Sequence, residues 1–230
     1  MTCMCGRFNL RTPSAQLVNV FELAQDPQWE IRFNIAPTTS VAVILHADGV
    51  RQGTAFHWGL IPSWSKDPKV AYRMFNARGE TVTSKPSFRS AFKRRRCLIP
   101  ADGFYEWKKG PGKEKQPYHI GLADECPLAF AGLWEKWLSP DGSEIFSCTI
   151  ITTAANSLLS DLHERMPVIL EPEDYSRWLD PELQESAGIE DLIRTYPDDK
   201  MKLFPVNQIV NNARNETEDC IKPKRKDTLF

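Results

Sequence analysis

A chain of 230 residues, 41% hydrophobic and 10% aromatic, is long enough to bury one well-formed core, or at a stretch two small ones. Its 29 basic and 30 acidic residues leave a net charge of −1, which argues against a protein that coats duplex DNA by bulk charge but leaves room for a local basic groove. No apolar run approaches the ~18 residues of a membrane span and the first residues lack the apolar core of an export signal, so a cytoplasmic chain with no membrane partner is expected.

In chain order, Thr12-Pro13 ahead of Leu17, Val20, Phe21 and Ala24 predicts a helix, with Thr12 as N-cap, Pro13 at the first helical position and apolar residues spaced along one face. Phe33 to Pro37 reads as entry to a loop. Val41–Leu45 and Ala55–Trp58 read as strands around a turn at Asp48-Gly49. Prolines 62 and 68 bracket an exposed loop carrying Trp64, and Phe75 to Glu80 is a polar stretch without helical period. Ala101-Asp102-Gly103 turns into the aromatic strand Phe104–Trp107, and 108–116 is a polar hairpin loop. Strands follow at Tyr118–Leu122, Leu128–Trp137, Phe146–Thr153, Val168–Leu170 and Leu203–Val210. Helices are expected around Leu158, over Glu173–Leu179 and over Ile189–Tyr196, the last with Ser186 as a cap. No repeat, low-complexity linker or composition break divides the chain. The expected class is α+β: one domain, mainly antiparallel strands in a curved, barrel-like sheet flanked by a few helices.

Six cysteines, at 3, 5, 97, 126, 148 and 220, form no paired framework and read as reduced thiols. Cys3 and Cys5 have no second ligand pair nearby, so no metal and no cofactor is expected. A free cysteine is most often a small buried hydrophobe. Cys5 differs if the bond before it is cut, or if translation starts at Met4 and that residue is removed. It then carries a thiol and an α-amine on adjacent carbons, which titrate near ~8.5 and ~7.7–8.0 and together close an aldehyde into a thiazolidine. Glu106 lies on a strand whose alternation sets Tyr105 and Trp107 on the opposite face; a carboxyl on an apolar sheet face has a raised pKa and serves as general acid and base. Asn76 beside Arg78 offers an amide to orient a substrate and a guanidinium to grip phosphate. His163 precedes Arg165-Met166-Pro167 in a loop. Lys93 to Arg96 and Lys222 to Lys226 are basic runs of the kind that usually form solvated faces or flexible ends.

Met4-Cys5-Gly6-Arg7-Phe8, Phe33-Asn34-Ile35-Ala36-Pro37, Trp58-Gly59-Leu60-Ile61-Pro62-Ser63-Trp64, Asn76 to Thr81, Ala101 to Trp107 and His163-Glu164-Arg165-Met166-Pro167 occur in that order. The set strongly resembles the SRAP (SOS-response-associated peptidase) family over roughly Met4 to Asn212. The resemblance implies a self-processing peptidase that exposes Cys5 and crosslinks it to abasic sites in single-stranded DNA, in a monomer associated with the nucleoid. It implies Cys5 as nucleophile, Asn76 positioning the amine or opened sugar, Glu106 moving protons and His163 assisting ring opening. Arg7, Arg78 and Arg165 would hold phosphates, and Trp64, Trp107 and Pro37 would face bases. Asn34, Thr152, Lys85 and Arg89 complete the implied DNA-binding set. Residues 1–4 are expected to be a removed leader or a mis-assigned start, 5–212 the domain, and 213–230 a flexible tail. Two other readings stay open at this point: a non-covalent reader of single-stranded or modified-base DNA, and a general cysteine protease.

Overall fold

A computed structural model describes residues 5–110, 112, 115–184 and 188–224. The expected leader, Ser186 and the last residues of the basic tail lie outside them. The fold is a single α+β domain built on two sheets, mainly antiparallel, the larger closing on itself into a barrel.

Strand β1 (Phe8–Leu10) enters the protein before helix α1 (Ser14–Phe21). Leu17 and Phe21 of α1 are buried, whereas Val20 faces solvent. Thr12 does not cap this helix: its hydroxyl and its N–H both go to the Asp102 carboxylate, which also accepts the Arg11 N–H. The carboxylate of the Ala101-Asp102-Gly103 turn thus ties the chain after β1 to the entry of the aromatic strand at Phe104–Trp107.

Strand β2 (Arg32–Ile35) forms where a loop was expected, because β1 supplies its partner; Phe8 lies opposite Ile35. β3 (Ser40–Ala47) and β4 (Val50–Trp58) make a hairpin. Asp48 and Gly49 both adopt positive φ, +53° and +78°, as the tight two-residue turn requires. A 3-10 turn at Pro68–Arg73 leads to β5 (Asn76–Arg78), α2 (Gly79–Val82) and α3 (Arg89–Arg94). β6 (Arg96–Ala101), β7 (Gly103–Lys109), β8 (Lys115–Leu122), β9 (Leu128–Leu138) and β10 (Glu144–Ala154) follow. After the short α4 (Ser157–Ser160) come β11 (Arg165–Pro167), β12 (Ile169–Leu170), α5 (Tyr175–Leu179) and β13 (Met201–Pro205). The helix expected over 189–196 is reduced to a 3-10 turn at Glu190–Leu192, and the strand expected over 203–210 ends at Pro205.

One sheet runs β13-β8-β7-β1-β2. The other closes because β10 pairs with β9 along one edge and with β4 along the other. It pairs antiparallel with β9, then parallel with β4 at Ser147 and Cys148, parallel with β5 at Ile150–Thr152, and antiparallel with β11 at Thr152–Ala154. β10 therefore brings together β4, β5, β9 and β11, segments well apart in the chain. Phe8 packs edge-on against both Trp58 and Phe130, at 5.0 and 5.7 Å between ring centres, and Phe104 does the same to Phe130; these contacts lock the two sheets together.

The tail boundary expected after residue 212 is not where the packing ends. The Glu216 carboxylate accepts the N–H groups of Phe33 and Asn34 and pairs with Arg32, and Cys220 is fully buried with Tyr105, Val206 and Val210. Residues up to 224 form a strap over β2 and β7, and Val206 bridges to Pro223.

Candidate active site and nucleic-acid interface

Cys5 is separated from β1 by Gly6 and Arg7 and is 1% exposed. Its carbonyl accepts a hydrogen bond from the Asn76 side-chain amide at 3.2 Å. Its backbone N–H faces the Glu106 carboxylate, and its pull, with that of the Trp107 N–H, favours the ionised form. The motif cysteine is thus gripped on both sides by residues from β5 and β7.

Glu106 is 5% exposed. Tyr105 and Trp107 turn to the far side of β7, into the cluster under the strap, as strand alternation demands. Burial pushes the Glu106 carboxyl up to about 8, against the smaller opposing pull of the Cys5 and Trp107 N–H groups and the Lys115 charge. Its Oε1 is buried with no hydrogen-bond partner among the described residues. Such a carboxyl holds its proton near neutrality and can release it to, or take one from, the nitrogen beside it.

His163 follows α4, whose start is capped by Asn156 accepting the Leu159 N–H at 3.0 Å. The His163 Nδ1 accepts the Arg165 N–H at 3.0 Å, which leaves the proton on Nε2 in the neutral ring; Nε2 is buried with no partner among the described residues. The Lys108–Asp161 ion pair at 3.6 Å draws this loop toward the end of β7, the strand that carries Glu106.

The arginines divide by commitment. Arg165 forms a two-pronged pair with both Glu80 carboxylate oxygens and donates to the Thr152 carbonyl at 2.7 Å. Arg7 donates to Asn34 Oδ1 and to the Val210 carbonyl, each at 2.8 Å, and its guanidinium lies over the Trp107 ring at 5.7 Å. Arg78 is exposed, next to Thr152 in the parallel register of β5 and β10. In the basic run, Lys93 and Arg94 face solvent, Arg95 pairs with Glu135, and Arg96 is buried, its guanidinium closing the ends of α3 and α5 through the carbonyls of Phe92, Lys93, Trp178 and Asp180. That run is not one solvated face.

The remaining expected DNA-binding residues fall into three environments. Trp64 is 64% exposed, as a loop indole should be, and Pro37 is half-buried. Asn34 and Thr152 are fully buried. The Asn34 amide spans the carbonyls of Val210, Asn212 and Asn215, so its place is to hold the strap and orient Arg7. Lys85 and Arg89 are exposed on the connection from α2 into α3. Sequence reasoning assigned no role to Glu80, although it stands in the motif with Asn76 and Arg78, nor to Glu216 or Val210. The latter two carry no local signal, because their partners lie 176 or more residues away.

Residues 4–213 match the family model described as SOS response associated peptidase (SRAP). The chain is 40% identical to the abasic site processing protein YoqW of Bacillus subtilis, over 95% of this chain and 99% of that protein. It is 32% identical to the abasic site processing protein HMCES of Rattus norvegicus, over 96% of this chain and 76% of that one. A crystal structure of a protein from Bacteroides thetaiotaomicron superposes with a TM-score of 0.87 at 26% identity, covering 96% of this chain and all of the other.

Proposed function

Because the chain belongs to the SOS response associated peptidase (SRAP) family, we propose that it processes abasic sites in DNA, capturing the ring-opened sugar of a single strand through the amine and thiol of Cys5. The reaction balances without a cofactor. The α-amine adds to the aldehyde and expels one water as the imine forms; the thiol then adds across the C=N bond, sulfur to carbon and proton to nitrogen, closing the thiazolidine. The same site hydrolyses the bond before Cys5, unless the chain starts at Met4 and the methionine is removed.

The observation that carries this reading is the setting of Cys5, with the Glu106 carboxyl facing its N–H and the Asn76 amide bonded to its carbonyl. A peptidase acting on other proteins has no need to hold its nucleophile by the main-chain nitrogen; a nucleophile whose nitrogen also reacts does. Glu106 carries the proton released when the amine attacks, and returns it to the departing hydroxyl. Asn76 fixes the Cys5 main chain so that nitrogen and sulfur approach one carbon together. His163 is held in the tautomer that presents Nε2–H, suited to donating to the sugar oxygen as the ring opens. Arg78 takes phosphate and Trp64 a base face, which lets a near-neutral protein bind a strand locally.

The test is the intact mass of the purified protein, alone and after mixing with an oligonucleotide bearing one abasic site. A chain beginning at Cys5 and an adduct lighter by one water than the sum are expected. Methoxyamine, which caps the aldehyde, should abolish the adduct; an adduct that survives it would refute the aldehyde as electrophile. A denaturation-resistant complex formed equally by Cys5→Ala would exclude the aminothiol.

A further inference from the structure

The segment from Pro62 to Phe75 leads directly into Asn76, and only Trp64 in it has so far been given a part in binding. Its inner side is anchored. Ile61 and Ala71 pack with Trp137, Val70 and Ile145 beside them, and the Trp137 indole N–H donates to the Ser65 carbonyl at 2.7 Å. Gly59, at φ +144°, permits the close approach at its root: a Cβ there would sit 2.7 Å from the Ala71 carbonyl oxygen. With Val70 and Ala71 turned inward, the 3-10 turn presents Lys69, Tyr72 and Arg73 to solvent.

Tyr72 is 65% exposed and Trp64 64%; they are the two exposed aromatic side chains among the described residues. Lys66, Lys69, Arg73 and Arg78 stand exposed around them in sequence. The one carboxylate of the segment, Asp67, caps the 3-10 turn by accepting the Lys69 N–H at 2.9 Å. Tyr72 precedes Asn76, which holds Cys5, by four residues, so their Cα atoms are at most about 14 Å apart. A wet ring set among cations, close to the reacting cysteine, matches the chemistry of a single nucleic-acid strand, whose every base has a π face and every link a phosphate.

We infer that Tyr72 is a second stacking platform which, with Lys66, Lys69 and Arg73, carries one arm of the single-stranded DNA away from the abasic position. The inference rests on the proposed function above. Trp64 supports the bases nearest the lesion and Tyr72 a base further along one arm.

The test is fluorescence anisotropy of labelled single strands carrying a reduced abasic sugar, which cannot crosslink. One strand extends on both sides of that position and two are truncated on one side or the other. Tyr72→Ala should weaken the extended strand about tenfold and Tyr72→Phe hardly at all, in keeping with the usual worth of one stacked base. The loss should vanish for the one truncated strand that lacks the arm. Lys69→Gln with Arg73→Gln should reduce the slope of log affinity against log salt by roughly 0.7 per phosphate contact removed. Equal affinity of Tyr72→Ala and wild type on every strand overturns the inference, as does an equal loss on all three. So does a wild-type dimer that Tyr72→Ala dissociates while strand affinity stays unchanged, since the patch would then face a second copy. If the wild type neither binds a strand nor forms an adduct, the proposed function itself falls; if it does both and Tyr72→Ala matches it, only this inference falls.

Discussion

The backbone N–H of Cys5 faces the carboxylate of Glu106, so the nitrogen that becomes the α-amine lies against a buried proton carrier. Glu106→Gln keeps the shape and loses the transferable proton. Removal of the residues before Cys5 and the rate of adduct formation should both fall about 100-fold or more. Intact mass and a quenched time course on an abasic oligonucleotide read the two effects separately, and full processing in the variant would remove Glu106 from the cleavage step.

Burial of this carboxyl also has a signature in stability. Its pKa rises from 4.5 to about 8 on folding, so the folded chain binds the proton more tightly. The associated stability is fully present below about 4.5 and is lost as pH climbs to about 8. Buried His119 works in the opposite sense: it drops from 6.5 to about 3, and its contribution is lost as pH falls through that window. The melting temperature of unprocessed wild type should therefore fall behind that of Glu106→Gln by several degrees between about pH 5 and 8. Freeing the Cys5 amine places a cation against the carboxylate and should move this window down. A gap independent of pH would show that Glu106 keeps an ordinary pKa.

Asn76 donates to the Cys5 carbonyl at 3.2 Å. Asn76→Ala removes that restraint and should slow adduct formation roughly five- to tenfold, the worth of about one hydrogen bond at ~1 kcal/mol. An unchanged rate at saturating DNA would mean that Cys5 is positioned without it.

Arg165 bridges the Glu80 carboxylate and the Thr152 carbonyl, while its own N–H fixes His163. Lysine has no planar fork to span both acceptors. Arg165→Lys should lower the melting temperature by a few degrees and slow crosslinking several-fold. Glu80→Gln, at a half-exposed carboxylate, should cost less stability. A thermal melt of both variants orders them, and the reverse order would contradict the clamp.

Glu216 seals the strap by accepting two N–H groups of β2 and pairing with Arg32. Glu216→Ala should cost about 1–2 kcal/mol, or roughly 2–8 °C of melting temperature for a domain of this size. A chain ended after residue 212 should lose more, because it also uncovers Tyr105 and Val210. Equal melting of full-length and shortened chains would show the strap to be dispensable.

The sequence alone determined the fold class and most strands of five or more residues. Those features rest on local signals: alternation along β7 put Glu106 opposite Tyr105, the Asp48-Gly49 pair set a hairpin, and the prolines around Trp64 left it exposed. Only the tertiary structure decided which segments became short strands and which cations stayed available. β2 and β5 exist because β1 and β10 offer them partners, and strands of four and three residues have too little periodicity to read. Likewise, Arg96 and Arg165 look in sequence like Arg94 and Arg78, yet the first two are spent on carbonyls and a carboxylate brought from far along the chain, and the last two face water. A charge is visible in one residue; whether it is already paired depends on chain closure, which no local pattern encodes.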